Sequence, residues 1–328
     1  MPVSFRTHPR SAIGYPPGMS TLSTTLCGVT LRNPIVAAAG TVGYGPEIDE
    51  VFSASKLGAI TIKSITPENR DGNPPWRVCD LPAGMLNAIG LANPGLDRFM
   101  REILPELQAL DTVIIGSIAG HSIEDYVEVA TAFGSTEAER LQLIELNVSC
   151  PNTSTGRQFG DDCGLLTELV SAVTEALGPK PCLVKLSPGN GDMTELCDAV
   201  VAAGASGLTL INTIPAMAVD PETRRSRIGR RTGGLSGLAV HPIAVRAVHD
   251  AHLHRTAFGR PIDLLGLGGV ASWRDVVEFM LVGANAVGVG TGFFFDPRVV
   301  DRLLRDLGRW LARQPESEIS SVIGGLLD

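Results

Sequence analysis

What most limits the fold of this chain is a repeated alternation: eight short apolar runs, each followed by a helix-length segment or a long loop. The runs cover residues 34–38, 59–63, 112–118, 141–148, 182–186, 207–211, 262–266 and 286–289. Most are continuously apolar, the pattern of parallel strands covered on both faces. Helical periodicity marks 123–133, 165–177, 193–203, 242–251, 273–282 and 297–311, and Ser122, Asp192, Ser272 and Asp296 stand where N-caps belong. This order predicts an α/β fold, a (β/α)8 TIM barrel, in preference to a doubly wound open sheet. Residues 1–20, rich in Pro, Ser and Gly, read as a flexible tail. Residues 21–328 read as one barrel domain, opened by a short strand or hairpin extension.

With 44% hydrophobic and 19% charged residues, the chain can bury a large core. A formal charge of −8 gives no footing for nucleic acid. No stretch approaches the ~18 to 20 apolar residues of a membrane helix, and the N-terminus lacks the apolar run of a secretory signal. Cysteines at 27, 79, 150, 163, 182 and 197 show neither CxxC spacing nor a His in zinc register, so no metal site is expected. Reduced, mostly buried thiols in a cytoplasmic protein are the simplest reading. Cys150 stands apart. In IELNVSCPN it ends a strand between Asn147 and Asn152, and core filler, metal ligand, disulfide partner and reactive thiol all stay open on these grounds.

Two connections are long. One runs over 64–96, and the other, over 212–237, holds Arg224, Arg225, Arg227, Arg230 and Arg231. Both follow a strand, which places them on the C-terminal face, where barrels do their chemistry. The arginines read equally as a solvated loop and as a lid or partner surface. Glycine-rich turns recur at GGLSG (233–237), GLGGV (266–270) and GVGTGFF (288–294). The last two follow the seventh and eighth strands, where barrels hold phosphate with backbone N–H groups. Gly266, Gly268 and Gly269 lack the GxGxxG spacing of a dinucleotide fold, so a mononucleotide phosphate is preferred.

Polar residues gather at the other strand ends: Lys63 with Ser64, Asn147 with Cys150 and Asn152, Lys185, and Asn212 with Thr213. Asn87 joins them from the first long loop. Lysines and asparagines without a carboxylate suit a flat anionic ligand with amide-like edges. They also suit a flavin, whose reduced ring is anionic and is stabilised by a nearby lysine. Alone, each is a rim charge or a turn former; together, on successive strand ends, they point to one pocket.

The stretches LRNPIVAAAGTVGYG (31–45), ITIKSITPENRDGNPPWR (60–77), LNAIGLANPGLDRF (86–99), LNVSCPN (146–152), LVKLSP (183–188), LTLINTIPAMAVD (208–220), GGLSG (233–237) and LGLGGVASWRD (265–275) resemble class 1 dihydroorotate dehydrogenases. The likeness is greatest to the class 1B catalytic subunit, through NAIGL and INTIPAMAVD. Cysteine at 150 separates the chain from class 2, which is expected to have serine there. The resemblance implies one FMN per chain and the oxidation of dihydroorotate to orotate in pyrimidine biosynthesis. Cys150 would take a proton from substrate C5 while hydride leaves C6 for the flavin. Carried over by position, FMN would meet Ala39, Lys63, Ser64, Ser117, Asn147, Lys185, Ile211, Gly237, Gly268, Gly269, Gly290 and Thr291. The substrate would meet Lys63, Asn87, Ala88, Ile89, Gly90, Leu91, Asn147, Asn152, Asn212 and Thr213. Three positions depart from the family pattern: Ser117 replaces an asparagine, Ala39 a serine and Leu238 a proline.

The resemblance also implies a homodimer. Class 1B members work with a second subunit holding FAD and an iron–sulfur cluster, in a heterotetramer that passes electrons to NAD. Nothing in this chain supplies those groups, so that partner follows from the resemblance alone. Two other chemistries stay in play: an FMN-dependent dihydropyrimidine oxidoreductase acting on a related ring, and a Schiff-base lyase using Lys63 or Lys185.

Overall fold

A computed structural model of the chain describes residues 21–49, 51–149, 159–188, 193–255 and 262–327. Cys150, Asn152 and the expected cap Asp192 lie outside the described residues. Eight parallel strands close into a barrel: β1 (Ile35–Ala37), β2 (Ala59–Thr61), β3 (Val113–Ile118), β4 (Leu141–Asn147), β5 (Cys182–Leu186), β6 (Gly207–Leu210), β7 (Asp263–Leu267) and β8 (Ala286–Val289). Each pairs with its sequence neighbour, and β8 closes on β1 through Val287↔Ile35 and Val289↔Ala37. The expected barrel and its strands are therefore observed, with ends moved by one or two residues. The outer layer includes α1 (Ile123–Gly134), α2 (Cys163–Leu177), α3 (Met193–Ala202), α4 (His241–His254), α5 (Trp273–Leu281) and α6 (Val299–Leu311).

The caps act mostly as their residue types dictate. Ser122 accepts from Asp125 N, and Ser272 forms a capping box with Asp275. Asp296 does not cap as expected. The last helix starts at Val299 behind Arg298, and Asp296 instead accepts from Arg298 N and Arg302. Residues 96–109, to which the sequence reading assigned no element beyond the loop end at 96, form a helical stretch whose winding passes through a π segment at Phe99–Ile103. Pro105 has no N–H for the regular ladder, and the winding changes beside it.

A hairpin, Thr24–Leu26 with Val29–Leu31, stoppers the N-terminal end. Its two-residue turn places Cys27 and Gly28 at φ 49° and 82°, as a tight hairpin turn requires. Leu26 and Leu31 pack on Val36, Ala59, Ile115, Leu143, Leu183, Leu265 and Ala286, the lower layer of the barrel interior. At this end, burial pushes the Cys27 thiol well up, with Asp263 adding to it, and burial with Glu145 pushes Cys182 up to about 12. At the opposite end, the two long connections meet in one antiparallel sheet, ordered Ile214–Ala216, Gly233–Ser236, Gly84–Asn87 and Val78–Leu81. Among the described residues, no helix is long and apolar enough to cross a membrane.

Candidate active site

Side chains along a strand alternate between faces, so positions two residues beyond the apolar lower layer also face the barrel interior. There the chemistry changes: Thr61, Ser117, Glu145, Lys185 and Thr209 are all buried. Thr209 donates to Glu145 Oε2 at 2.9 Å, and Lys185 Nζ stands 3.6 Å from Glu145 Oε1. The hydroxyls of Ser64 and Ser117 meet at 2.8 Å, both buried. Ser117, shorter than the expected asparagine, thus spends its hydrogen bond on Ser64. Sequence reasoning named a polar set without a carboxylate; Glu145 corrects that. Its signal was present, since it precedes Asn147 by two residues and so shares its face of β4.

On the rim above, Asn212 Nδ2 donates to Asn147 Oδ1 at 3.1 Å and to Ser149 Oγ at 2.8 Å, while Asn212 Oδ1 accepts from Thr213 N at 2.8 Å. Asn147 Oδ1 accepts one bond from this network, and its NH2 group adds a donor on the same rim. Tyr126 donates to the Asn147 carbonyl at 2.7 Å and fixes the strand end. Asn87 donates to Gly234 O at 3.1 Å, and a Cβ on Gly234 would strike Thr213 Oγ1. Asn87, Thr213, Asn212 and Asn147 therefore form one connected group. Lys63 is half-buried, its ammonium close over Gly40.

The loop holding Ala88, Ile89, Gly90 and Leu91 is tied down rather than loose. Asn73 donates through its backbone to Ile89 O at 2.9 Å and through its side chain to Ala88 O at 3.0 Å. Asn93 donates to Leu91 O at 2.8 Å. Gly90 has φ 77°, and a Cβ there would lie 2.6 Å from Asn73 N. Part of the arginine cluster reaches the same region: Arg230 donates to Asn73 Oδ1 at 3.1 Å, and Arg227 pairs with Asp80 of the Val78–Leu81 strand at 3.6 Å.

The glycine turns converge as expected. Gly269, at φ 68°, leaves no room for a Cβ: His241 Cβ would lie at 2.7 Å and Gly237 O at 2.9 Å. Thr291 donates to Ser236 Oγ at 2.7 Å, joining the turn after β8 to GGLSG. His241 was not singled out from sequence. Its Nδ1 meets Gly268 O at 2.8 Å and its Nε2 meets Glu278 at 3.0 Å, so it clasps the turn after β7 to α5. Ile211 is buried and donates to Leu267 O at 2.8 Å, while Gly290 and Ala39 are half-buried at the mouth. Leu238 is exposed, on the outside of its turn.

These residues fit FMN. A Cβ on Gly237, Gly268 or Gly269 would strike Gly84, Ala244 or His241, so these turns present backbone N–H groups with no side chain in the way. Thr61 Oγ1 is buried without a hydrogen-bond partner in the described structure. Lys63, Lys185 and the amide groups of Asn147 and Asn212 would be the groups to hold a flavin ring, whose edges are amide-like.

Comparison with known proteins agrees. The family profile "Dihydroorotate dehydrogenase" matches residues 21–311, and this chain belongs to that family. A Geobacillus kaustophilus protein and a Listeria welshimeri protein, both named dihydroorotate dehydrogenase B (NAD(+)), catalytic subunit, are 44% and 43% identical. Each match covers 93% of this chain, and 96% and 97% of those proteins. A Solibacter usitatus protein, provisionally named dihydroorotate dehydrogenase A (fumarate), is 41% identical over 93% of this chain and 98% of its own length. The crystal structure of an Eimeria tenella dihydroorotate dehydrogenase with ferulenol superposes with a TM-score of 0.75. At 22% identity, covering 93% of this chain and 88% of that one, it supports the fold.

Proposed function

We propose that this chain oxidises dihydroorotate to orotate for pyrimidine biosynthesis, as the FMN-bearing catalytic subunit of a class 1B enzyme. One observation supports the reading most: Lys63 and the linked Asn147, Asn212 and Asn87 line the rim above the buried Lys185, with bare-backbone glycine turns at the same end of the barrel. When bound, FMN supplies the acceptor for the hydride that leaves substrate C6. Lys63 offers a cation to the substrate carboxylate, which favours orotate-like rings over dihydropyrimidines lacking that group. Asn87, Asn147, Asn152 and Asn212 read the amide edges of the pyrimidine ring, and the 88–91 loop shapes its pocket. Cys150, one residue beyond the Ser149 hydroxyl that Asn212 holds, accepts the C5 proton. A thiol titrates nearer neutrality than a serine hydroxyl and needs less help from a partner base.

The relatives named as B-type catalytic subunits support NAD as the final acceptor; the resemblance adds a partner with FAD and an iron–sulfur cluster as the route to it. A homodimer at the centre of a cytoplasmic heterotetramer, with residues 21–328 as one folding unit, completes the proposal.

The test is spectroscopic. The purified protein should show an FMN absorbance band that bleaches without oxygen when dihydroorotate is added and stays unchanged with dihydrouracil. A protein that takes up no FMN, or bleaches equally with both, refutes this reading. Recovery of electrons by fumarate in the isolated chain, in preference to NAD with the partner, would move it to class 1A.

A further inference from the structure

Glu145 has no role in the mechanism above, yet it is only 1% exposed in the barrel interior. Its surroundings come from three strands. Lys185 on β5, 6% exposed, stands 3.6 Å from Oε1. Thr209 on β6 donates to Oε2 at 2.9 Å. Strands β4 and β6 are not neighbours, so this contact crosses the interior. Among the described residues Oε1 has no hydrogen-bond donor, which leaves the lysine as its compensation. A carboxylate is not kept in such a place unless a charge or several donors answer it. One register step up, Asn147 lies opposite Lys185 and leads into the rim network.

We infer that Glu145 is a positioning residue for Lys185, and that the pair, not the lysine alone, sets how strongly the site favours reduced over oxidised FMN. This rests on the FMN reading above. Glu145 fixes where the ammonium stands and cancels part of its field. A lone lysine would present a full positive charge to a ring that becomes anionic on reduction. The paired lysine presents less, so the electrons are easier to pass on.

The test is the midpoint potential of the FMN-loaded protein, measured against reference dyes without substrate. Glu145→Gln keeps the shape and can still accept from Thr209. It should shift the equilibrium about tenfold toward the reduced form, about 30 mV for a two-electron couple. Glu145→Asp, which keeps the charge, should recover at least half of that shift, and Lys185→Met should move the potential the other way. A folded, FMN-loaded Glu145→Gln protein with the parental potential overturns the inference and leaves the function standing. A parental protein that binds no FMN refutes the functional reading, and the inference with it. Should Glu145→Gln fail to fold, the Glu145→Gln/Lys185→Met double variant buries no lone charge, and its potential should exceed that of Lys185→Met by at least threefold in the equilibrium. Equal potentials, or a double variant that fails to fold where Lys185→Met folds, overturn the inference.

Discussion

Leu143 and Leu183 meet the N-terminal hairpin inside the barrel, while two residues further along the same strands Glu145 and Lys185 form an ion pair. The lower layer is apolar and plugged by Leu26 and Leu31; the upper layer and rim are polar and open toward the long loops. The difference shows how one strand serves two ends. Inward positions recur every second residue, so a single step along the face moves from packing to chemistry without any change in the backbone. Substitutions in the lower layer should therefore cost stability and spare the reaction, and those in the rim should do the reverse.

The largest effect tests the rim. Cys150→Ala should bind orotate as before and slow flavin reduction by about 10²- to 10⁴-fold, read by anaerobic stopped-flow absorbance. Unchanged reduction would remove the thiol from its role as base. In the lower layer, Leu143→Ala should cost about 2–5 kcal/mol in denaturant unfolding and leave the Michaelis constant for dihydroorotate unchanged. A variant that unfolds normally but loses substrate affinity would break the division between the two ends.

Asn212→Ala sharpens it, because this side chain orients both Asn147 and Ser149. About a tenfold rise in the Michaelis constant is expected, with little change in melting temperature. The plugged end should respond to pH instead. The Cys182 thiol is raised from 9.0 to about 12 by burial, so its contribution to stability is fully present below pH 9.0 and is lost as pH rises toward about 12. Chemical unfolding at about pH 8 and about pH 10 should show a loss on the order of 1 kcal/mol, reduced in Cys182→Ala. The smallest effect is expected at the boundary. Ser117→Ala, which leaves the buried Ser64 hydroxyl without this partner, should cost about 1 kcal/mol.

The strands were legible because continuous apolar runs between helical repeats allow few arrangements, and the observed ends fall within one or two residues of those read from pattern. The rim was legible where polar residues end strands, as at Asn147, Lys185 and Asn212. Glu145 escaped because a lone charge inside LQLIELN looks like an interruption until period two aligns it with Asn147. His241 escaped for another reason: its partners, Gly268 and Glu278, are 27 and 37 residues away in sequence, and no local pattern announces them. The four-stranded sheet over the mouth was read as two separate loops, since its pairing joins segments about 150 residues apart, as Asn87 and Gly234 do.

That shared sheet has a mechanical consequence. Gly233–Ser236 hydrogen-bonds to Gly84–Asn87 on one edge, and its Ser236 hydroxyl receives the bond from Thr291. Any movement of Gly84–Asn87 is therefore carried through Gly233–Ser236 to the Thr291 contact. The two long connections are mechanically geared together, and slack engineered into either will be felt in the other.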